Sequence, residues 1–353
     1  MKKVAVFVKN LTSGGAEKQS VLLAKALCNK CDVHYIVFNG KKLHEKYLDL
    51  LATDMRIHVL LIRGNGIKRL FLLFQYLRKQ QIEVLFSYLT MANFISAIVG
   101  RIARVPLIYG GLRNAYLPWP KLISDLITCN ILTTGFISNS FSGKSWFIQK
   151  GAKANRVVVI PNCFEGISPY MEKSPSSSVR IITVGRFVEQ KDYETAIKAI
   201  KELREKGLSI EFFIIGYGRM ETQIRRWIKE YGIEKITRLC INPDNIAELE
   251  QKSNIYLSTS VFEGTSNSIM EGMNANLPIV CTDVGDNRFL VENDENGYIC
   301  KPGDYQGIAN ALWVLVEDAK KRNRFGRRSK EILSLNYNME IFGQRYLDVV
   351  GYQ

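Results

Sequence analysis

Apolar and polar positions along the chain follow two rhythms. Short β-branched runs read as strands at residues 4–8, 33–38, 57–61 and 84–87, with further strand candidates at 107–109, 135–138 and 157–160. Helical stretches fall between them at 17–27 and 68–79. Around Pro161, Pro169, Pro175 and the serines at 176–178 the rhythm lapses, as a linker would. It then restarts with a strand at 180–184, a helix at 193–206 capped by Asp192 and stopped by Gly207, and a strand at 210–215. A helix at 221–231, a strand at 255–258, a helix near 268–274 and a strand at 279–281 follow.

Strands that alternate with helices predict parallel, doubly wound sheets with right-handed crossovers. The expected fold is therefore α/β, with two Rossmann-like domains facing across a cleft. Residues 1–165 form the first domain, 166–179 a linker and 180–335 the second domain. A last helix within 336–353 crosses back onto the first domain. A length of 353 residues, 46% of them hydrophobic, agrees with two cores.

The start, Met1-Lys2-Lys3-Val4-Ala5-Val6-Phe7-Val8, mimics a signal peptide, but its apolar run is short and a buried strand is the better reading. No uncharged apolar run reaches the length of a membrane span; the nearest approach, residues 87–100, contains Ser, Thr and Asn. The expected location is cytoplasmic, peripheral on the inner face of the membrane. Seven cysteines, an odd number without a paired framework, read as ordinary buried residues in a reducing compartment; Cys28 and Cys31 form a CxxC with no second pair.

Charge is unevenly divided. Residues 1–150 carry 21 Lys plus Arg against 7 Asp plus Glu, whereas residues 151–353 carry 27 of each. Such a field attracts nucleic acid, an anionic leaflet or a phosphorylated substrate, or it simply keeps the domain soluble. The stretch Lys68 to Lys79 is apolar in its middle and cationic at both ends, which suits either a membrane interface or a buried crossover helix.

Candidate chemistry concentrates in the second half. After the strand at 255–258, a polar loop with Glu263 and Gly264 opens a helix carrying Ser268 and Glu271. Free amides and the positive dipole end at a helix start suit a diphosphate, and carboxylates suit paired sugar hydroxyls. The alternative is a capping box of Ser268 with Glu271. Arg186 and Lys191 follow the domain's first strand, where two cations can neutralise a leaving diphosphate or stand as solvated surface charges.

These pieces resemble glycosyltransferase family 4, of the retaining GT-B type. The resemblance rests on Gly14-Gly15-Ala16-Glu17, Asn139-Ser140, Ile160-Pro161-Asn162, Gly185-Arg186 with Lys191, Ile215-Gly216-Tyr217-Gly218, and Glu263 with Glu271, seven residues standing between them. It continues through Pro278-Ile279-Val280 and Gly285. It implies a bacterial surface-polysaccharide enzyme in which Arg186 and Lys191 hold the donor diphosphate, Glu271 binds the ribose and Glu263 faces the transferred sugar. Amides around Thr265, Ser266, Asn267 and Ser268 would grip the donor, and Gly14 and Gly15 would close on it from the other domain. The implied partners are a nucleotide diphosphate-sugar, with a UDP-sugar first in expectation, and an anionic lipid-linked saccharide at the membrane surface.

The sequence departs from the family at a His that many relatives carry in the first domain; here that position reads Gly110-Gly111-Leu112-Arg113-Asn114. With no general base there, the departing diphosphate is expected to accept the acceptor's proton, and Arg113 and Asn114 become candidates for acceptor or diphosphate contacts, the alternative being that they only shape the loop. No Asp-x-Asp pair is present, so no metal and no cofactor are expected. A nucleotide-sugar epimerase would share the fold, but the paired glutamates argue for transfer. A basic nucleic-acid-binding protein would explain the charge and leave the acidic pair unexplained; nucleic acid is not an expected partner.

Overall fold

The structure is a computed structural model that describes every residue except Lys42, 114–116, 174–176 and 352–353. The chain divides into two compact units, residues 1–165 with 337–353, and residues 166–336.

In unit 1 the strands are β1 (Lys3–Val8), β2 (Asp32–Val37), β3 (Ile57–Leu61), β4 (Val84–Tyr88), β5 (Leu107–Leu112), β6 (Gly135–Ser138) and β7 (Val157–Val159). They form one parallel sheet in the order β3-β2-β1-β4-β5-β6-β7. The period-two rule assigns the faces of β1. Val4, Val6 and Val8 pack with Val21 and Leu22 of the helix Gly15–Leu27 and with Phe342 and Tyr346 of the helix Met339–Val349. Ala5 and Phe7 point the other way, against Leu73 of the helix Gly66–Gln80 and Val99 of the helix Thr90–Ile102. Both faces of the sheet are covered, as parallel sheets require.

The C-terminal helix is capped by Asn338, whose side chain accepts from Ile341 N at 2.8 Å. It packs on the helix Gly15–Leu27. Gly343 permits that approach, because a Cβ there would lie 3.0 Å from the carbonyl oxygen of Ala26. Lys2 Nζ donates to Val350 O at 2.9 Å, so both ends of the chain are held in unit 1.

Unit 2 contains β8 (Val179–Val184), β9 (Ile210–Gly216), β10 (Thr237–Ile241), β11 (Ile255–Ser258), β12 (Ile279–Thr282) and β13 (Gly297–Cys300), in the parallel order β10-β9-β8-β11-β12-β13. Its core joins Ile181, Phe212, Ile214 and Leu257 of the sheet to Ile197 and Ile200 of the helix Tyr193–Glu205 and to Leu312 of the helix Tyr305–Glu317. The segment after Gly166 lies along this unit: Ser168 N donates to Asn274 Oδ1 at 3.0 Å, and Tyr170 OH to Asn323 O at 3.1 Å. All seven cysteines are free.

Candidate active site

Strand order reverses in unit 2 between β8 and β11, the place where open α/β sheets leave a crevice at their carboxyl ends. The loops that follow these two strands are stitched together there. Val261 N donates to Gln190 O at 2.9 Å, Gln190 Nε2 to Phe262 O at 2.8 Å, and Thr259 Oγ1 reaches the carbonyl oxygens of Lys191 and Asp192, each at 2.9 Å. A third loop, after β9, lies against the first. Phe187 N donates to Tyr217 O at 2.8 Å, and a Cβ on Gly216 would stand 1.9 Å from Gly185 O, so only glycine fits. The Gly216-Tyr217-Gly218 run thus serves the close stacking of loops.

This stitching joins side chains that the sequence separates by 72 residues: Lys191 Nζ lies 2.6 Å from Glu263 Oε1, with the two side chains only 17% and 11% exposed. Ser260 Oγ donates to the same carboxylate oxygen at 2.8 Å. The neighbouring Tyr193 hydroxyl has its pKa raised by burial and, secondarily, by the Glu263 charge. Arg186 stands differently: it is exposed, and among the described residues no hydrogen bond or ion pair engages its guanidinium. A held pair and a solvent-facing cation thus stand together where these loops meet.

The helix after β11 spans Asn267–Asn274, and its cap is Ser266, whose Oγ accepts from Ile269 N at 3.4 Å. Ser268 is therefore inside the helix, and Glu271 lies beyond the position a capping box needs. Ser266 Oγ and Ser268 Oγ are 3.2 Å apart, while Thr265 and Ser266 are buried and Asn267, Ser268 and Glu271 half-buried. The loop ahead of the helix is braced by Gly285, whose φ of +56° and carbonyl contacts leave no room for a side chain: a Cβ there would meet Glu263 O at 2.2 Å.

The remaining candidates belong to unit 1. Gly14 precedes the helix Gly15–Leu27, and the Glu17 side chain folds back over it, holding a hydrogen bond from Thr12 Oγ1 at 3.0 Å. Arg113 stacks on Tyr88 at 4.2 Å and donates through Nη2 to Tyr346 OH at 2.7 Å, which ties the end of β5 to the C-terminal helix. Its Nε and Nη1 are buried without a partner among the described residues. Asn114 lies outside the described residues.

Unit 1 also has a reversal of strand order, between β1 and β4, and a cavity of about 370 Å³ opens there. Lys9, Asn10, Glu17, Thr90 and Lys121 contribute polar groups to it. Leu89 in its wall has φ 73° and ψ 150°, a conformation nearly confined to glycine that costs about 1–3 kcal/mol. Behind it, Asp125 accepts from Thr90 Oγ1 at 2.8 Å and from Asn93 Nδ2 at 3.2 Å. Burial pushes the Asp125 carboxyl up to about 6, against the opposing effect of these hydrogen bonds. None of Lys9, Thr90, Lys121 and Asp125 stands out in the sequence. For two of them the signal was positional, since Lys9 follows directly on β1 and Thr90 follows the adjacent β4 with one residue between.

Two Rossmann-like parallel sheets of seven and six strands, with cations and carboxylates collected at a switch point, make up the fold of the GT-B class. Anabaena Alr3699/HepE in complex with UDP matches with a TM-score of 0.84 at 19% identity over 99% of both chains. The apo lipopolysaccharide outer core galactosyltransferase WaaB matches with a TM-score of 0.79 at 15% identity over 99% of both.

Residues 171–332 match the model of the family described as glycosyl transferases group 1. Over 94% of both chains, the sequence is 24% identical to the N-acetylgalactosamine-N,N'-diacetylbacillosaminyl-diphospho-undecaprenol 4-alpha-N-acetylgalactosaminyltransferase of Campylobacter jejuni. Family model and relatives together support a transferase.

Proposed function

We propose that the chain is a retaining glycosyltransferase of family 4 type. It moves a hexose or N-acetylhexosamine from a nucleotide diphosphate-sugar, in the first place a UDP-sugar, to a hydroxyl of a lipid-linked saccharide in cell-surface polysaccharide synthesis. The observation that carries this reading is the Lys191–Glu263 pair beside the unengaged Arg186 at the carboxyl ends of β8 and β11. The UDP in HepE and the diphospho-undecaprenol acceptor in the Campylobacter enzyme's name support donor and acceptor classes respectively.

In the proposed reaction the donor diphosphate lies against Arg186, Lys191 and the amides at the start of the helix Asn267–Asn274, with Gly14 and Gly15 closing on it. Glu271 holds the ribose hydroxyls, and Glu263 stabilises positive charge at the sugar ring as the bond to the leaving group stretches. The C1–O bond to the diphosphate breaks with its electron pair going to the diphosphate oxygen. The acceptor oxygen forms its bond to C1 on the same face and gives its proton to that departing oxygen. Lys191 and Arg186 neutralise the charge that develops, so the scheme calls on no bound metal. With a nucleotide-sugar donor and a lipid-linked acceptor, the proposed setting is the inner face of the cytoplasmic membrane.

The test is a screen of UDP- and GDP-sugars for hydrolysis and for transfer to a lipid diphosphate-linked saccharide. Transfer with retained anomeric configuration is expected, with Glu263→Ala lowering chiefly kcat and Glu271→Ala chiefly raising KM. Conversion of the donor alone into an epimer, or unchanged kinetics in both variants, would sink the proposal.

A further inference from the structure

Two neighbouring helices of unit 1 bury Val99 and Leu122 in the core yet carry apolar side chains on their outer faces as well, with polar groups among their buried positions. On the helix Thr90–Ile102 the buried positions include Asn93 and Ser96, while Met91, Phe94, Ile98 and Ile102 face outward. On the helix Trp119–Ile127 and the π turn Thr128–Leu132 that continues it, Asp125 and Thr128 are buried, while Trp119, Ile123, Ile127 and Ile131 face outward. The spacings of three or four residues place each set on one stripe. All eight side chains are between 37% and 72% exposed.

The two stripes lie side by side, because the helices pack on one another and Arg101 of the first donates to the carbonyl oxygens of Ile131 and Leu132 at 2.8 and 2.7 Å. The polar groups beneath are satisfied: Ser96 Oγ donates to Asn93 O at 2.9 Å and Thr128 Oγ1 to Ser124 O at 2.7 Å, alongside the Asn93 and Asp125 bonds already described. The outward apolar face is thus a settled feature of the fold. A soluble surface seldom carries so large a contiguous one without a partner.

Charge identifies that partner. Between residues 84 and 164 the chain has eight Lys plus Arg and a single acid, Asp125, which is buried. A second copy of this surface would bring like charges together, whereas an anionic bilayer supplies both an apolar interior and the opposite charge. We infer that the paired outer stripes of residues 90–102 and 119–132 form the surface by which unit 1 lies on an anionic membrane. The apolar side chains enter the headgroup layer, and Trp119 sits where interfacial aromatic residues concentrate. Thr90, Met91 and Lys121 also line the cavity at the ends of β1 and β4, so docking on this face sets that cavity at headgroup depth.

The inference extends the proposed function by naming the surface that meets the acceptor's membrane, and it rests on that reading only for the cellular setting. Its test uses neither donor nor acceptor: sedimentation of the full chain with phosphatidylcholine vesicles, with and without phosphatidylglycerol. Wild type should bind the anionic vesicles and hardly the neutral ones. Ile98→Gln combined with Ile127→Gln should weaken that binding about tenfold or more, since two half-exposed side chains lose their burial. The same variant should keep its melting profile and its donor hydrolysis in solution. Failure of wild type to bind anionic vesicles, or equal binding by the variant, overturns the inference. So does a dimer that the variant dissolves while vesicle binding is unchanged. Vesicle binding by a wild type that transfers no sugar would overturn the transfer reading alone.

Discussion

Lys191 and Glu263 hold each other in a nearly enclosed setting, and either one alone would be a poorly solvated charge. Removing one partner of such a pair costs on the order of 3 kcal/mol, because the other charge is left uncompensated. Lys191→Ala is therefore expected to destabilise unit 2 by about that amount, and Lys191→Ala with Glu263→Gln by less than the sum of the single changes. Urea unfolding of the three variants reads the difference; additive losses would show that the contact carries no coupling. Activity should fall in all three by about a hundredfold or more if the pair serves the departing diphosphate. Arg186→Ala should cost activity with little loss of stability, since that side chain is exposed. In the sequence, Glu263 and Glu271 announce themselves by their spacing in one segment. The Lys191 contact does not, because spacing along a chain carries no information on which distant loops are stitched together. Nor do Lys9, Thr90 and Lys121, whose association depends on β4 pairing with β1 rather than on any local pattern.

At the scale of elements, the strands were legible wherever β-branched residues run between turn signals, as in β1 and β11, which are buried almost throughout, and in the partly exposed β3. The C-terminal helix was legible too. The helices Thr90–Ile102 and Trp119–Ile127 were not: the first is apolar on both its inner and outer sides, and the second has an amphipathic rhythm whose apolar side is turned mostly outward, so periodicity does not show which face the fold buries. Residues 68–79 resolve into a crossover helix, Gly66–Gln80, that buries Leu73 and Leu77 while Ile67 and Phe71 stay exposed. Loop stacking offers a further prediction. Gly285→Ala adds a methyl group against Glu263 O in a left-handed backbone position, so the loop ahead of the helix Asn267–Asn274 must shift. Unit 2 should lose about 1–3 kcal/mol, and donor hydrolysis should fall by more than that loss of folded protein explains. Parallel measurements of melting and of hydrolysis below the melting range check this. Full activity in a folded Gly285→Ala protein would show that the loop's shape is not needed.

The whole molecule is two separately cored units with unlike electrical character, so its unfolding need not be a single transition. Asp125 makes the stability of unit 1 depend on pH in a definite direction. Its folded pKa, about 6, lies above the value of 3.8 expected when unfolded, so folded protein binds the proton more tightly. Its contribution should be greatest below pH 3.8 and decline as pH rises towards 6, by up to about 3 kcal/mol. Subtracting the pH profile of Asp125→Asn from that of wild type isolates this group, and a flat difference across the window would contradict the assignment. The composition of unit 1 has a consequence for biogenesis. Its helix Met339–Val349 is made after all of unit 2, so a nascent chain leaving the ribosome can complete the second unit while the first still lacks the helix that covers one side of its sheet. A stop codon between unit 2 and this helix would therefore do its damage far away in sequence, exposing Val6, Val21 and Leu22 of the first unit to chaperones and proteases.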